Sequence, residues 1–144
     1  MPDRSVREII EKQNSVMANA EITVSAAAQL MQQHHIGAVL ITEGEHLAGI
    51  FTERDALFRV IAAGRDPAAT RIAEVMTRDP LTVTPDRSFR HALHLMYEGD
   101  FRHVPVVADG RPLGMVSARD ALGPDLKQFI GDLETREHIG EILG

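Results

Sequence analysis

The chain has 144 residues, 44% of them apolar and 25% charged, which allows one globular domain or two small halves sharing a core. A formal charge of −6 argues against a nucleic-acid backbone as partner, whose footprint is basic, and the lack of cysteine excludes disulfides, thiol chemistry and Cys-ligated zinc. No stretch approaches the roughly 18 apolar residues of a membrane span, and MPDRSVREIIEKQ lacks the apolar core of a signal peptide, so a soluble cytoplasmic protein without membrane contact is expected.

In chain order, SVREIIEKQ opens with Ser5-x-x-Glu8, the spacing of a capping box, and predicts a short packed helix. Residues 16–20 read as a short strand. VSAAAQLMQQHH carries apolar residues at 24, 27, 28, 30 and 31, one face of a helix. IGAVLI, the turn TEGEH and LAGIF then predict two strands joined by a tight hairpin. A helix follows from Glu53 to about Ala63, stopped by Gly64. LTVTPD at 81–86 reads as a strand, and RSFRHALHLMYEG repeats the helical face at 89, 92, 93, 95 and 96 between Pro85-Asp86 and Gly99. HVPVV, ADGR and LGMV form the second hairpin, after which Gly123-Pro124 cuts short or restarts the last helix. The tail GPDLKQFIGDLETREHIGEILG has an apolar stripe at 126, 129, 130 and 133 that must cover its own core or a second chain.

Sliding the sequence against itself by 65 residues aligns 24–57 with 89–122 without a gap and gives nine identities in 34 positions. Ala27, Leu30, Met31, Val39, Gly49, Arg54, Asp55, Ala56 and Leu57 meet Ala92, Leu95, Met96, Val104, Gly114, Arg119, Asp120, Ala121 and Leu122. The fold expected is α+β: two tandem β-α-β-β-α repeats packed with pseudo-twofold symmetry, plus a C-terminal helix. Residues 1–65 hold the first repeat with its N-terminal helix, 66–122 the linking segment and second repeat, and 123–144 the tail.

The polar core of the repeat is Thr52-x-x-Asp55 and Ser117-x-x-Asp120, each after a strand and opening a helix. Such a pair caps a helix, the hydroxyl accepting from a backbone N–H and the acid reaching back. The same turn points free N–H groups outward for a phosphate, and its carboxylate can accept two hydrogen bonds from a ribose diol. Arg54 and Arg119, beside the two acids, supply the cation a phosphate wants, and Gly49 and Gly114 allow close approach of backbone or ligand. Recurrence of the whole cluster favours a site at each turn.

The doubled order of helix, HVPVVADG-RPLGMVSARD and helix, together with the linking IAEVMTRDPLTVTPDRSFRHALHLM, resembles the CBS domain, named for cystathionine β-synthase and commonly found in pairs called Bateman modules. The resemblance covers about residues 6–122. It implies a stand-alone regulatory, energy-sensing module that binds an adenosine-containing nucleotide (AMP, ADP, ATP, NAD(H) or S-adenosylmethionine), requires no cofactor, and modulates an unidentified partner protein. The family's ribose positions fall on Thr52, Asp55, Ser117 and Asp120, and the base-framing ones on Ile36, Gly37, Ala38 and Val39 and on Val104 and Pro105. Phosphate binding falls to Arg54, Arg119, Arg102 and His103; the first repeat departs at the last two, with Gly37 and Ala38, and has Leu40 where the second has Pro105. Pairing of such modules face to face implies a homodimer.

His34, His35, His91 and His94 invite a metal, but no carboxylate stands at fixed spacing to complete a site, and solvated helix surface is the expectation. Without a Ser-His-Asp pattern or G-x-S-x-G elbow, no catalysis is expected. The rivals to a sensor are a ligand-free dimeric scaffold, in which the hydroxyl–Asp pairs only cap helices, and a nucleotide hydrolase.

Overall fold

Residues 4–122 and Asp132 are described in a computed structural model of the chain. Helix α1 (Val6–Ile10) is capped by Ser5, whose Oγ accepts from the Glu8 N–H at 3.2 Å. Strand β1 (Met17–Asn19) leads to α2 (Val24–His34), where Thr23 Oγ1 accepts from the Ala26 N–H and His35 ends the helix in the left-handed conformation at φ 52°. Strands β2 (Ala38–Glu43) and β3 (His46–Thr52) form the first hairpin, and α3 (Glu53–Asp55) continues directly into π-helical turns over Ala56–Ile61. A 3-10 turn at Ile72–Glu74 precedes β4 (Thr77–Arg78), and α4 (Phe89–Gly99), β5 (His103–Ala108) and β6 (Arg111–Ser117) repeat the first half. The chain then enters a 3-10 turn at Ala118–Leu122; the expected C-terminal helix lies outside the described residues.

The first sheet has the order β1-β2-β3-β4, with β1 parallel to β2 and the other pairs antiparallel. Both hairpins shift register at the same place in the repeat, between Ile41 and Thr42 and between Val106 and Val107. The strand expected at 81–86 shrinks to a single parallel bridge, Val83 to Val106. Position 105 explains it. Leu40 gives its N–H to the Val16 carbonyl at 3.4 Å, whereas Pro105 stands at the matching position with no N–H to give, so that rung of the parallel ladder is missing. The helix predicted from Glu53 has the predicted extent but a wider winding: the Ala62 and Arg65 N–H groups reach back five residues, to Leu57 and Val60.

The two cores exchange segments. Helix α1, grouped with the first repeat on sequence grounds, buries Val6 and Ile9 among Phe89, Val104 and Val116 of the second. Ile72, Val75 and Met76, grouped with the second repeat, pack among Met31, Val39 and Phe51 of the first. Matching bridges pin each exchange, Ser5 with Ser88 and Thr23 with Arg71. The repeated glycines serve this packing. A Cβ on Gly49 would stand 2.6 Å from the Thr77 carbonyl, and one on Gly114 would stand 3.0 Å from Ile10. A third cluster, Ala38, Leu40 and Ile50 with Leu47 and Met115, joins the two halves.

Ile72 is fully buried, so Ile72→Ala is expected to lower stability by about 2–5 kcal/mol, read by urea unfolding. Because its contacts lie in the first core, amide exchange should accelerate in α2, β2 and β3 more than in β5 and β6. The reverse pattern would contradict the exchange of segments.

Candidate functional site

At the end of β3 the chain turns sharply into α3, and Thr52 and Asp55 close that turn on each other. Thr52 Oγ1 accepts from the Asp55 N–H at 3.2 Å, and Asp55 Oδ2 accepts from the Thr52 N–H at 3.0 Å. The capping geometry is therefore real at this turn, and it leaves the Asp55 carboxylate buried. Its second oxygen, Oδ1, lies 3.5 Å from Arg59 Nε, while Arg59 Nη1 donates to the Val75 and Met76 carbonyls. The second turn is built differently. Asp120 Oδ2 accepts from the Ser117 N–H at 2.7 Å and stands 3.4 Å from Ser117 Oγ, and the Asp120 carbonyl accepts from Arg4 at 2.8 Å.

Each turn opens on a cleft that the other repeat completes. The first cleft, of about 930 Å³, brings Ser117, Arg119 and Asp120 of the second repeat together with Ile36, Gly37 and Ala38 of the first. The second, of about 880 Å³, brings Thr52, Arg54 and Asp55 of the first repeat against Gly99, Asp100 and Phe101 of the second. Both volumes suit a small ligand. Arg102, His103 and Glu53 line both clefts. Matched backbone bonds hold the wall: Glu53 N–H to the Gly37 carbonyl and Ala118 N–H to the Arg102 carbonyl, each 2.9 Å. Val39, Val104 and Pro105 line neither cleft; all three are fully buried, Val39 and Val104 in the two cores.

The cations are unequally free. Arg54 donates to the Asp100 carbonyl at 3.0 Å and lies 4.0 Å from its carboxylate, and Arg59 is held by Asp55. Burial pushes the His103 imidazole below its usual range, with Arg102 adding to this; the carboxylates of Glu53 and Asp120 pull the other way and lose. His91, singled out in the sequence, faces Arg87 at 3.2 Å on the surface of α4.

Three contributors were missed in the sequence. Arg59 has a visible signal, four residues after Asp55 on the same helical face. Glu53 has none, because its part depends on the approach of Gly37, where a Cβ would stand 3.1 Å from its Oε1. The apolar lining of the second cleft, Leu57, Phe58 and Leu81, stays more than half exposed, which periodicity alone reads as core.

Two α+β repeats that exchange segments, with a cleft on either side of one shared wall, define a tandem domain pair. The sequence profile of the CBS domain matches residues 6–62 and again 72–123, and the chain belongs to the CBS domain family. The mitochondrial CBS domain-containing protein CBSX3 of Arabidopsis thaliana is 39% identical over 105 residues, 69% of this chain and 51% of that protein. The chain thus spans about half the length of that relative, and 18% and 22% of two longer ones. Among solved structures, the CBS domain protein NE2398 superposes with a TM-score of 0.80 at 28% identity, over 87% of this chain and 99% of that one. The CBS domain pair of MJ0100, in complex with 5′-methylthioadenosine and S-adenosyl-L-methionine, gives a TM-score of 0.74 at 26% identity, over 91% and 98% of the two chains. CBS domain pairs are regulatory modules, and proteins made of them alone are generally not catalytic. Among the described residues, no helix is long and apolar enough to cross a membrane.

A His103 pKa lowered by folding sets the sign of a pH effect. Below the ordinary histidine value of about 6.5 the unfolded chain takes up the proton more readily, so stability falls as pH drops through that value toward the folded one. His103→Gln is expected to flatten the decline in urea midpoint between about pH 7 and pH 5. An unchanged slope would contradict the burial assigned to this ring.

Proposed function

We propose that this CBS pair is a regulatory sensor of an adenosyl ligand, with up to two sites and no catalysis of its own. The observation that carries the proposal is the doubled hydroxyl–Asp turn, each copy opening on a cleft of nucleotide size. Asp55 and Asp120 take the ribose hydroxyls together with Thr52 and Ser117. Residues 36–38 and 101–103 frame the base in the two clefts, and Arg102 and Arg119 face the phosphates. The complex of MJ0100 with two adenosine-derived ligands supports this ligand class. Ligand binding would shift the relative placement of the repeats, altering an unidentified partner.

A scaffold role is the second reading, and one observation favours it: Asp55 and Asp120 already accept backbone hydrogen bonds from their own turns. Thermal unfolding against AMP, ADP, ATP, NAD, NADH, 5′-methylthioadenosine and S-adenosylmethionine separates the two. A ligand at 100 times its dissociation constant adds about 2.7 kcal/mol, a rise of several degrees. Asp55→Ala or Asp120→Ala should abolish the rise while costing about 1 kcal/mol of capping. Wild-type protein indifferent to the whole panel would leave the scaffold standing.

A homodimer belongs to the same proposal, as does a cytoplasmic setting, which rests on the sequence alone. Ile61, 69% exposed on the π-helical turns beside Phe58, presents apolar surface that a second copy would cover. Ile61→Glu is expected to halve the mass seen by sedimentation. An unchanged dimer would place the contact elsewhere.

A further inference from the structure

We propose that the two clefts share one free phosphate-binding cation, Arg102, on which the second depends alone, so that a phosphate-bearing ligand that draws Arg102 into the first cleft disfavours a phosphate-bearing ligand in the second. This inference rests on the adenosyl reading above and adds to it a rule of occupancy. Arg102 lines both clefts, its side chain is exposed, and its guanidinium makes no hydrogen bond or ion pair with another described residue. The second cleft has no comparable alternative. Arg54 is engaged by Asp100, and Arg59 by Asp55 and two carbonyls. Arg119 reaches only the first cleft.

The rest of the wall makes the cation necessary. Glu53 also borders both clefts, and Asp79 and Asp100 add negative charge to the second. His103, between them, is desolvated and disposed to be neutral, so it adds little charge of its own. A phosphate beside Glu53 is repelled unless Arg102 neutralises it, and one guanidinium cannot serve both sides of the wall at full strength. Once a ligand in the first cleft, where Arg119 adds to the pull, holds Arg102, a phosphate in the second meets Glu53, Asp79 and Asp100 with no free cation. A ligand lacking phosphate makes no such demand, and the two clefts should fill independently.

Isothermal titration of the full chain with AMP and with 5′-methylthioadenosine, a phosphate-free probe, tests this. The two AMP steps should be separated by about tenfold more than the two steps of the phosphate-free ligand. Filling of one site by AMP and two by 5′-methylthioadenosine would be the limiting form of the same result. Arg102→Ala should weaken the first AMP step by about tenfold and bring the two steps to the spacing of the phosphate-free ligand. If AMP and 5′-methylthioadenosine show the same spacing in the wild type, the competition is overturned. It is also overturned if Arg102→Ala leaves the AMP spacing unchanged, since the inequality then comes from Arg119, or if both ligands fill only one site. Binding of neither ligand would overturn the adenosyl reading itself, and the competition with it.

Discussion

Everything in this molecule depends on the crossing of two short segments between two small cores. A repeat of some sixty residues buries too little apolar surface to stand well alone. Here each repeat is completed by a piece of chain that sequence order assigns to the other: α1 closes the second core, and the Ile72–Met76 stretch closes the first. The bridges at Ser5–Ser88 and Thr23–Arg71 tie each crossing to the N-cap of the helix it packs beside. The crossings fix how one half sits on the other, and that placement sets the wall between the clefts. A cleft made of one repeat's turn and the other's strand entry needs that placement, which the Ala38, Leu40, Ile50 and Met115 cluster also supports.

Within that frame the hydroxyl–Asp turn caps its helix, and the ligand role proposed for it is supported by that cap rather than opposed to it. As a cap it ties the acid to the start of its helix, so the carboxylate is held in place before any ligand arrives. Preorganisation of this kind lowers the ordering cost of binding. Each carboxylate oxygen has more than one lone pair, so the backbone bonds at 3.0 Å and 2.7 Å do not exhaust it. Capping and ligand recognition are therefore compatible at the same atoms, and the cap alone is a weak argument for either.

What the sequence made legible was whatever repeats or alternates. The two hairpins, the two long helices, the Ser5 cap and the hydroxyl–Asp turns stand where periodicity and spacing put them. The caps at Thr23 and Ser88 are not among them, since the start signal for α4 falls on Pro85-Asp86 instead. What the sequence left out has separate physical causes. LTVTPD at 81–86 reads as a strand by itself, but Pro105 on the partner strand lacks the donor that strand needs. The grouping of α1 with the first repeat followed chain order, which carries no record of which core a helix reaches. Gly49 and Gly114 read as points of close approach for backbone or ligand, and what approaches is the linking segment at Met76–Thr77 and α1 at Ile10. Glu53 was invisible because its importance lies in facing two clefts at once, a property of the assembled halves.

The two sites are related by the repeat but are not equivalent. Asp55 is buried and flanked by Arg59, and its turn runs into π-helical winding that exposes Leu57 and Phe58 at the cleft mouth. Asp120 is less buried, its turn continues as a 3-10 helix, and its carbonyl is tied to Arg4, which also stacks over Phe89 at 5.0 Å. The first turn therefore sits beside an apolar mouth with Arg54 and Arg59 already engaged, and the second beside a cleft with Arg119 at hand. On the adenosyl reading, a ligand that presents mostly base and ribose would suit the second cleft, and one that ends in phosphate would suit the first. The repeat thus keeps the order of elements and divides the chemistry, with Arg102 on the boundary between the two halves of that division.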